Sequence, residues 1–274
     1  MKRAGMIALA ILVAGEVLFL LGPTIITVII SLGKSPIVQF PPAGFSVVWY
    51  KLVATSSQWT VPALTSLVAA TLVMVIGTTI GVAASFAIVR SGVRFRSAAA
   101  SLLLLPLITP AMLISLGLAL VMTSLRLAGT MEGLVIAQGV TAVPYVIVNC
   151  SISLRNIDPS VEWAAQSLGA TPGRTLLHIT VPLMRRGLIA AAMFAFLASW
   201  DDAIIALFLN GPSLTTLPVF LLGQASQNPS PAIAAAAGYL SFVALLVFAL
   251  VVSVGMGIPT AGVARPRAEQ NGRQ

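Results

Sequence analysis

Six stretches of the chain stay apolar for long enough to cross ~30 Å of hydrocarbon as helices. They run from about Met6 to Ser31, Ala63 to Val89, Ala98 to Ser124, Gly133 to Leu154, Gly187 to Leu209 and Ile233 to Ile258. None alternates polar and apolar residues over about ten positions, as a barrel strand would. A helix satisfies its own backbone polar groups in lipid, so the pattern predicts an all-α polytopic membrane protein. Three longer connections remain: residues 32–62, 155–186 and 210–232.

Composition supports this reading. Of 274 residues, 58% are hydrophobic and 8% charged, and the mean hydropathy is +1.02. An ordinary soluble domain carries about 25% charged residues, so the composition argues against a soluble enzyme and excludes a disordered chain. One cysteine, Cys150, and one histidine, His178, give no disulfide framework and no Cys- or His-cluster metal site. The pI near 10.8 first suggests nucleic acid. With the N-terminus inside, however, twelve of the fifteen Lys and Arg fall in interior segments, and only Lys34, Lys51 and Arg126 lie outside. The positive-inside rule places both termini in the cytoplasm and explains the basicity without nucleic acid. Lys2-Arg3 followed by about 26 apolar residues, interrupted by Glu16, predicts an uncleaved signal-anchor helix.

The interior connection 155–186 has more structure than a linker needs. Asp158 can cap a helix, Pro159 suits its first position, Glu162 lies in its first turn and Gly169 stops it. A second segment begins at Thr171-Pro172 and breaks at Pro182. A short helix bearing small residues and Trp163 is either a docking element for a soluble partner or a helix packed back on the bundle.

Trp163-Ala164-Ala165, three residues, Gly169, nine residues, then Ile179-x-Val181-Pro182 resembles a loop motif of the permease subunits of binding-protein-dependent ABC importers. The family pattern is E-A-A, three residues, G, nine residues, I-x-L-P. Trp163 stands for the usual Glu and Val181 for Leu, while Glu162 lies one place earlier. Phe40-Pro41-Pro42-x-Gly44-Phe45, Leu105-Pro106-Leu107-Ile108-Thr109-Pro110, Trp200-Asp201-Asp202 and Phe208-x-x-Gly211-Pro212 are similar to the spermidine/putrescine-type subfamily. Ala111 stands where polyamine permeases commonly carry an acid.

The resemblance implies a type I ABC importer permease fold of six transmembrane helices, N-in and C-in, in the bacterial inner membrane. One permease domain would cover residues 1–274, with a cytoplasmic tail at 264–274. It implies a second, homologous permease subunit, two ATPase subunits and an extracytoplasmic solute-binding protein. ATP would bind at the ATPase subunits, and this chain would hold no cofactor. Glu162, Trp163, Ala164, Ala165, Gly169, Ile179 and Pro182 would form the ATPase-coupling loop.

Asp201 and Asp202 fall about fifteen residues into the fifth span, roughly 22 Å deep at ~1.5 Å per residue. A carboxylate there costs about 2.5–3.5 kcal/mol on insertion scales. Both are read, with Trp200, as lining a path for a cationic solute; a carboxylate paired with backbone donors or Arg126, or one at an interfacial position, is the alternative. Glu16 is expected to make a bundle-facing structural contact, His178 to be interfacial, and Met112, Met122, Phe194 and Phe196 to be packing residues. Gly33-Lys34-Ser35 lacks the upstream glycine of a P-loop, with Val28 in its place, so no ATP hydrolysis is expected of this chain. Two rivals stay open. One is the same importer for another solute, such as an opine, an amino-phosphonate or ferric ion. The other is an ion-gradient transporter, which predicts internal repeats and broken helices in both halves.

Overall fold

A computed structural model describes residues 2–90, 96–211 and 214–256. The tail at 264–274, the last residues of the sixth predicted span, Arg94 and Pro212 lie outside them. The described residues are helical, with two isolated bridges, Gly33 to Phe45 and Gly211 to Leu214, and no strand.

Helix α1 spans Lys2–Ser31 and is followed by a short α2 at Val48–Thr55. The 34-residue α3, Ser57–Arg90, reaches well beyond the first prediction at its outer end. At ~1.5 Å per residue it is about 51 Å long, more than the hydrocarbon needs. The fourth span is α6, Met131–Arg155, and the sixth is α13, Pro231–Met256. Among the described residues, four continuous helices are long and apolar enough to cross a membrane, or up to six if each of two sharply bent pairs counts as one span.

Those bends correct the prediction of an unbroken third span. Helix α4, Arg96–Leu104, runs into a 3-10 turn at Leu105–Leu107, and the chain restarts as α5, Ala111–Ser124, at 101°. Pro106 and Pro110 explain the break, since neither offers an N–H and Pro110 is held extended at ψ 129°.

The fifth span is interrupted as well. Helix α10, Arg185–Trp200, stops one residue before Asp201, and α11, Ile204–Leu209, takes over. The interior connection folds as α7, Pro159–Ser167, then α8, Pro172–Thr175, a π turn at Leu176–Thr180, and α9, Val181–Leu183. This second segment meets α10 at 80°, around the buried Met184, so the chain turns there and not at Pro182. The outer connection 210–232 holds a helix that hydropathy did not anticipate, α12, Leu217–Gln227.

Helices α3, α6 and α10 pack together as the centre of the molecule. Ser66, Ala69, Ala70, Val73, Gly77, Gly81 and Ser85 form a buried stripe of mostly small residues along α3. Such a stripe lets two backbones approach, which is how helices associate in lipid. At Gly81 the approach is closest: a Cβ there would lie 2.5 Å from Val146 Cγ1 on α6.

Helix α1 packs along α13, with Ser31 Oγ 2.8 Å from Tyr50 Oη at its outer end. Glu16 sits on its exposed surface and not against the bundle. Of the expected packing residues, Met122 and Phe196 are buried, whereas Met112 and Phe194 lie on outward faces.

Candidate functional site

The interior loop is built by local backbone chemistry. Asp158 Oδ1 accepts from the Ser160 N–H at 2.9 Å, which caps α7. That bond, with the nearby Arg90 charge adding to it, holds the Asp158 carboxyl below its ordinary value. At the other end Gly169 has φ +90°, a conformation that disfavours any Cβ. The Gly169 N–H donates to Gln166 O at 2.9 Å and the Ala170 N–H to Ala165 O at 3.1 Å, closing the last turn in a Schellman arrangement.

No residue of α7 is buried. Trp163 is 67% exposed and Leu168 90% exposed, so a short apolar surface stands off the bundle. Ala164 and Pro182 are exposed, while Ala165 and Ile179 are half-buried. His178 is exposed, with Nδ1 3.1 Å from Arg174 O.

Glu162 faces the other way from Trp163. Its side chain is 13% exposed and turned toward the membrane helices. Arg90 Nε, at the inner end of α3, lies 3.2 Å from Glu162 Oε2; the charges touch, although the N–H does not aim along the contact. The Thr180 hydroxyl donates to Glu162 Oε1 at 3.0 Å. Arg90 Nη2 also donates to the carbonyls of Leu154 at 3.1 Å and Ile157 at 2.8 Å. Sequence reasoning used Arg90 only as a mark of orientation and passed over Thr180.

The second cluster sits where the fifth span breaks. Gln138 Nε2 on α6 donates to Asp202 Oδ2 at 2.9 Å, and the Ser199 hydroxyl donates to Gln138 Oε1 at 2.7 Å. Asp202 also accepts from the backbone N–H groups of Ile205 at 3.3 Å and Ala206 at 3.2 Å, which caps α11. Its partners among the described residues are therefore an amide and two backbone donors, and Arg126 is not one of them. A cavity of about 210 Å³ opens beside Asp202, lined also by Thr109, Ser115, Thr141 and Tyr145. The break in the third span forms its other wall, through Pro106 and Leu107.

Asp201 and Asp202 do not share a continuous helix: Asp201 ends α10 with its side chain exposed on the surface of the chain. Trp200 is misplaced by the path reading. It is 4% exposed, donates from Nε1 to Leu240 O at 3.1 Å and stacks on Phe196 at 5.7 Å, so it fastens α10 to α13.

A family model described as binding-protein-dependent transport system inner membrane component matches residues 77–258. The putrescine transport system permease protein PotI of Escherichia coli (strain K12) is 33% identical over 228 residues, 80% of each chain. The spermidine/putrescine transport system permease protein PotC of Shigella flexneri is 26% identical over 229 residues, 84% of this chain and 83% of that one. Among solved structures, a bacterial ABC transporter that imports the acidic polysaccharide alginate matches with a TM-score of 0.69 at 16% identity, covering 92% of this chain and 96% of its own. The inward-facing MetNI methionine ABC transporter matches at 0.56 and 18% identity, over 77% and 99%. At such identities the structures speak for the fold alone.

Proposed function

We infer a mechanism from the premise that the chain belongs to the binding-protein-dependent transport system inner membrane components. It is a multi-pass inner-membrane permease subunit of an ABC importer, with a type I importer permease fold. Partners of the ATPase and periplasmic binding-protein kind go with that class. Two ATPase subunits dock on α7 and on the equivalent helix of a second, homologous permease. ATP binds at those subunits, and this chain holds no cofactor. Closure of the ATPases draws the two docking helices together, and the bundles rock between inward- and outward-open states. Solute delivered by the binding protein passes between the permeases.

The observation that carries the docking is α7 itself: a capped helix with no buried residue, presenting Trp163 and Leu168 to the cytoplasm. Trp163, Ala164 and Gln166 make the contact, and Gly169 and Pro182 shape the loop around it.

The cargo is a small polyamine-like cation. The named relatives support this, as does the exposed Asp201 carboxylate beside the break in the fifth span. Another small solute is the second reading of cargo, favoured by Ala111 in the wall of the 210 Å³ cavity, where an acid would strengthen the case for a polyamine. The breaks in the third and fifth spans resemble what a gradient-driven transporter would use, but family membership sets that class aside.

The test is ATP hydrolysis by the reconstituted complex with its binding protein, titrated with putrescine, spermidine and neutral controls. Stimulation by a polyamine supports both docking and cargo. Stimulation by another solute alone retires the polyamine, and absence of any co-purifying ATPase retires the docking.

A further inference from the structure

We propose that Arg90, Glu162 and Thr180 form the joint that makes the docking helix and the membrane bundle move as one body. The proposal rests on the reading of α7 as the ATPase-docking helix. Its starting point is a shortage: α7 buries none of its residues, so apolar packing does not hold it to the bundle. A helix meant to transmit a push needs another attachment, and this polar cluster supplies one.

Arg90 closes the inner end of α3. Its guanidinium meets Glu162 of α7 and the carbonyls of Leu154 and Ile157, at the end of α6 and just beyond. The carbonyls in the last turn of a helix lack helical partners, so the fork serves α6 while it grips α7. Thr180, 1% exposed, adds the segment leading into α10 by donating to the other Glu162 oxygen. Through Arg90 and Thr180, one carboxylate is thus tied to α3, to α6 and to the approach to α10, the three helices that make the centre of the molecule.

The cluster is shielded as well as connected. Leu154 is 0% and Ile157 9% exposed, and the side chains of Arg90 and Glu162 are 20% and 13% exposed. Removing one partner leaves a partly buried charge or polar group unpaired, so the cluster resists being pulled apart. A Lys at position 90 keeps the charge but has no planar fork with which to hold two carbonyls while lying against Glu162. Glu162 and Arg90 are therefore positioning residues, distinct from the outward-facing Trp163 that meets the partner.

The test uses the whole transporter in lipid, with nitroxide labels on Arg174→Cys and Ile76→Cys in a Cys150→Ala background. Cys150 is the one native cysteine. The distance between the labels reports whether the loop and α3 move together, whatever the cargo. Hydrolysis with and without the binding protein is measured on the same samples. With the joint intact, the distance stays the same in nucleotide-free and ATP-trapped states. In Arg90→Lys and Glu162→Gln it shifts and broadens while the ATPase subunits still co-purify. Stimulation by the binding protein falls at least about fivefold, in the range of allosteric coupling factors. Thr180→Val shows the same trend and Thr180→Ser does not.

An unchanged distance and unchanged stimulation in both Arg90→Lys and Glu162→Gln would overturn the joint. Loss of the ATPase subunits from Glu162→Gln alone would also overturn it, making Glu162 a docking contact. If the unsubstituted chain retains no ATPase, the proposed function fails and takes the joint with it.

Discussion

Gln138 on α6 holds the Asp202 carboxylate at 2.9 Å across the break in the fifth span, and the same amide accepts from Ser199 on the near side of that break. The break is thus a satisfied structure with its own cap, not a frayed helix.

Asp202 and Asp201, though adjacent, are expected to respond differently to substitution. Asp202→Ala strips the cap from α11 and leaves the buried Gln138 amide without its acceptor. A lost buried partner costs about 1–3 kcal/mol, so the detergent-solubilised complex should melt several degrees lower. Asp201→Asn should leave melting unchanged and lower uptake of a cationic solute. Equal melting loss in both variants would contradict this division.

Trp163→Ala removes the largest exposed side chain of α7. Aromatic anchors at interface centres are commonly worth about 2 kcal/mol, which is roughly thirtyfold in affinity. ATPase binding to the permease in vesicles should weaken by that order, with little change in melting. Unaltered binding would move the contact elsewhere on the loop.

The Asp158 cap has a defined pH dependence. Its carboxyl is held below the ordinary value by the Ser160 N–H, so the ionised form is the stabilised one. The cap's contribution is fully present above the ordinary value of about 3.9 and is lost only as pH falls through the lowered one. From pH 5 to 8, ATPase binding should show no pH dependence that Asp158→Asn removes. A step in that range, absent from Asp158→Asn, would show that the cap is not ionised as described.

Gly81→Ala tests the seam between α3 and α6. A Cβ there would lie 2.5 Å from Val146 Cγ1, so one helix must shift. Overpacking of this kind costs about 1–3 kcal/mol. Because the Val146 Cβ would also lie 2.6 Å away, Val146→Ala combined with Gly81→Ala should restore little of the melting temperature, and Val146→Gly should restore more. Failure of the rescue by Val146→Gly would mean that the strain lies in the backbone and not in the side-chain contact.

The spans and the loop were legible in the sequence because they follow from local demands. Asp158, Pro159 and Gly169 each meet one backbone requirement of α7, and each sits where expected. The break in the third span was signalled by Pro106 and Pro110, but hydropathy counts apolar content and is blind to backbone continuity. Helix α12 carried its own start signal, Pro218 just inside Leu217, in a stretch taken only as the connection between two spans. The settings of Trp200 and Glu162 were not legible, for a different reason. Which way each side chain points depends on α13 and α3, which lie far away in sequence.

The stripe of small residues along α3 has a thermal consequence. Lipid tails are as apolar as the side chains they touch, so closing this contact expels no water. Its cohesion comes from short-range dispersion between closely spaced backbones. The large heat-capacity change that accompanies water-driven burial is therefore missing across the seam. Cooling loosens a core assembled by water, but it leaves α3 and α6 clamped. The frame against which the docking helix pushes keeps its stiffness in the cold.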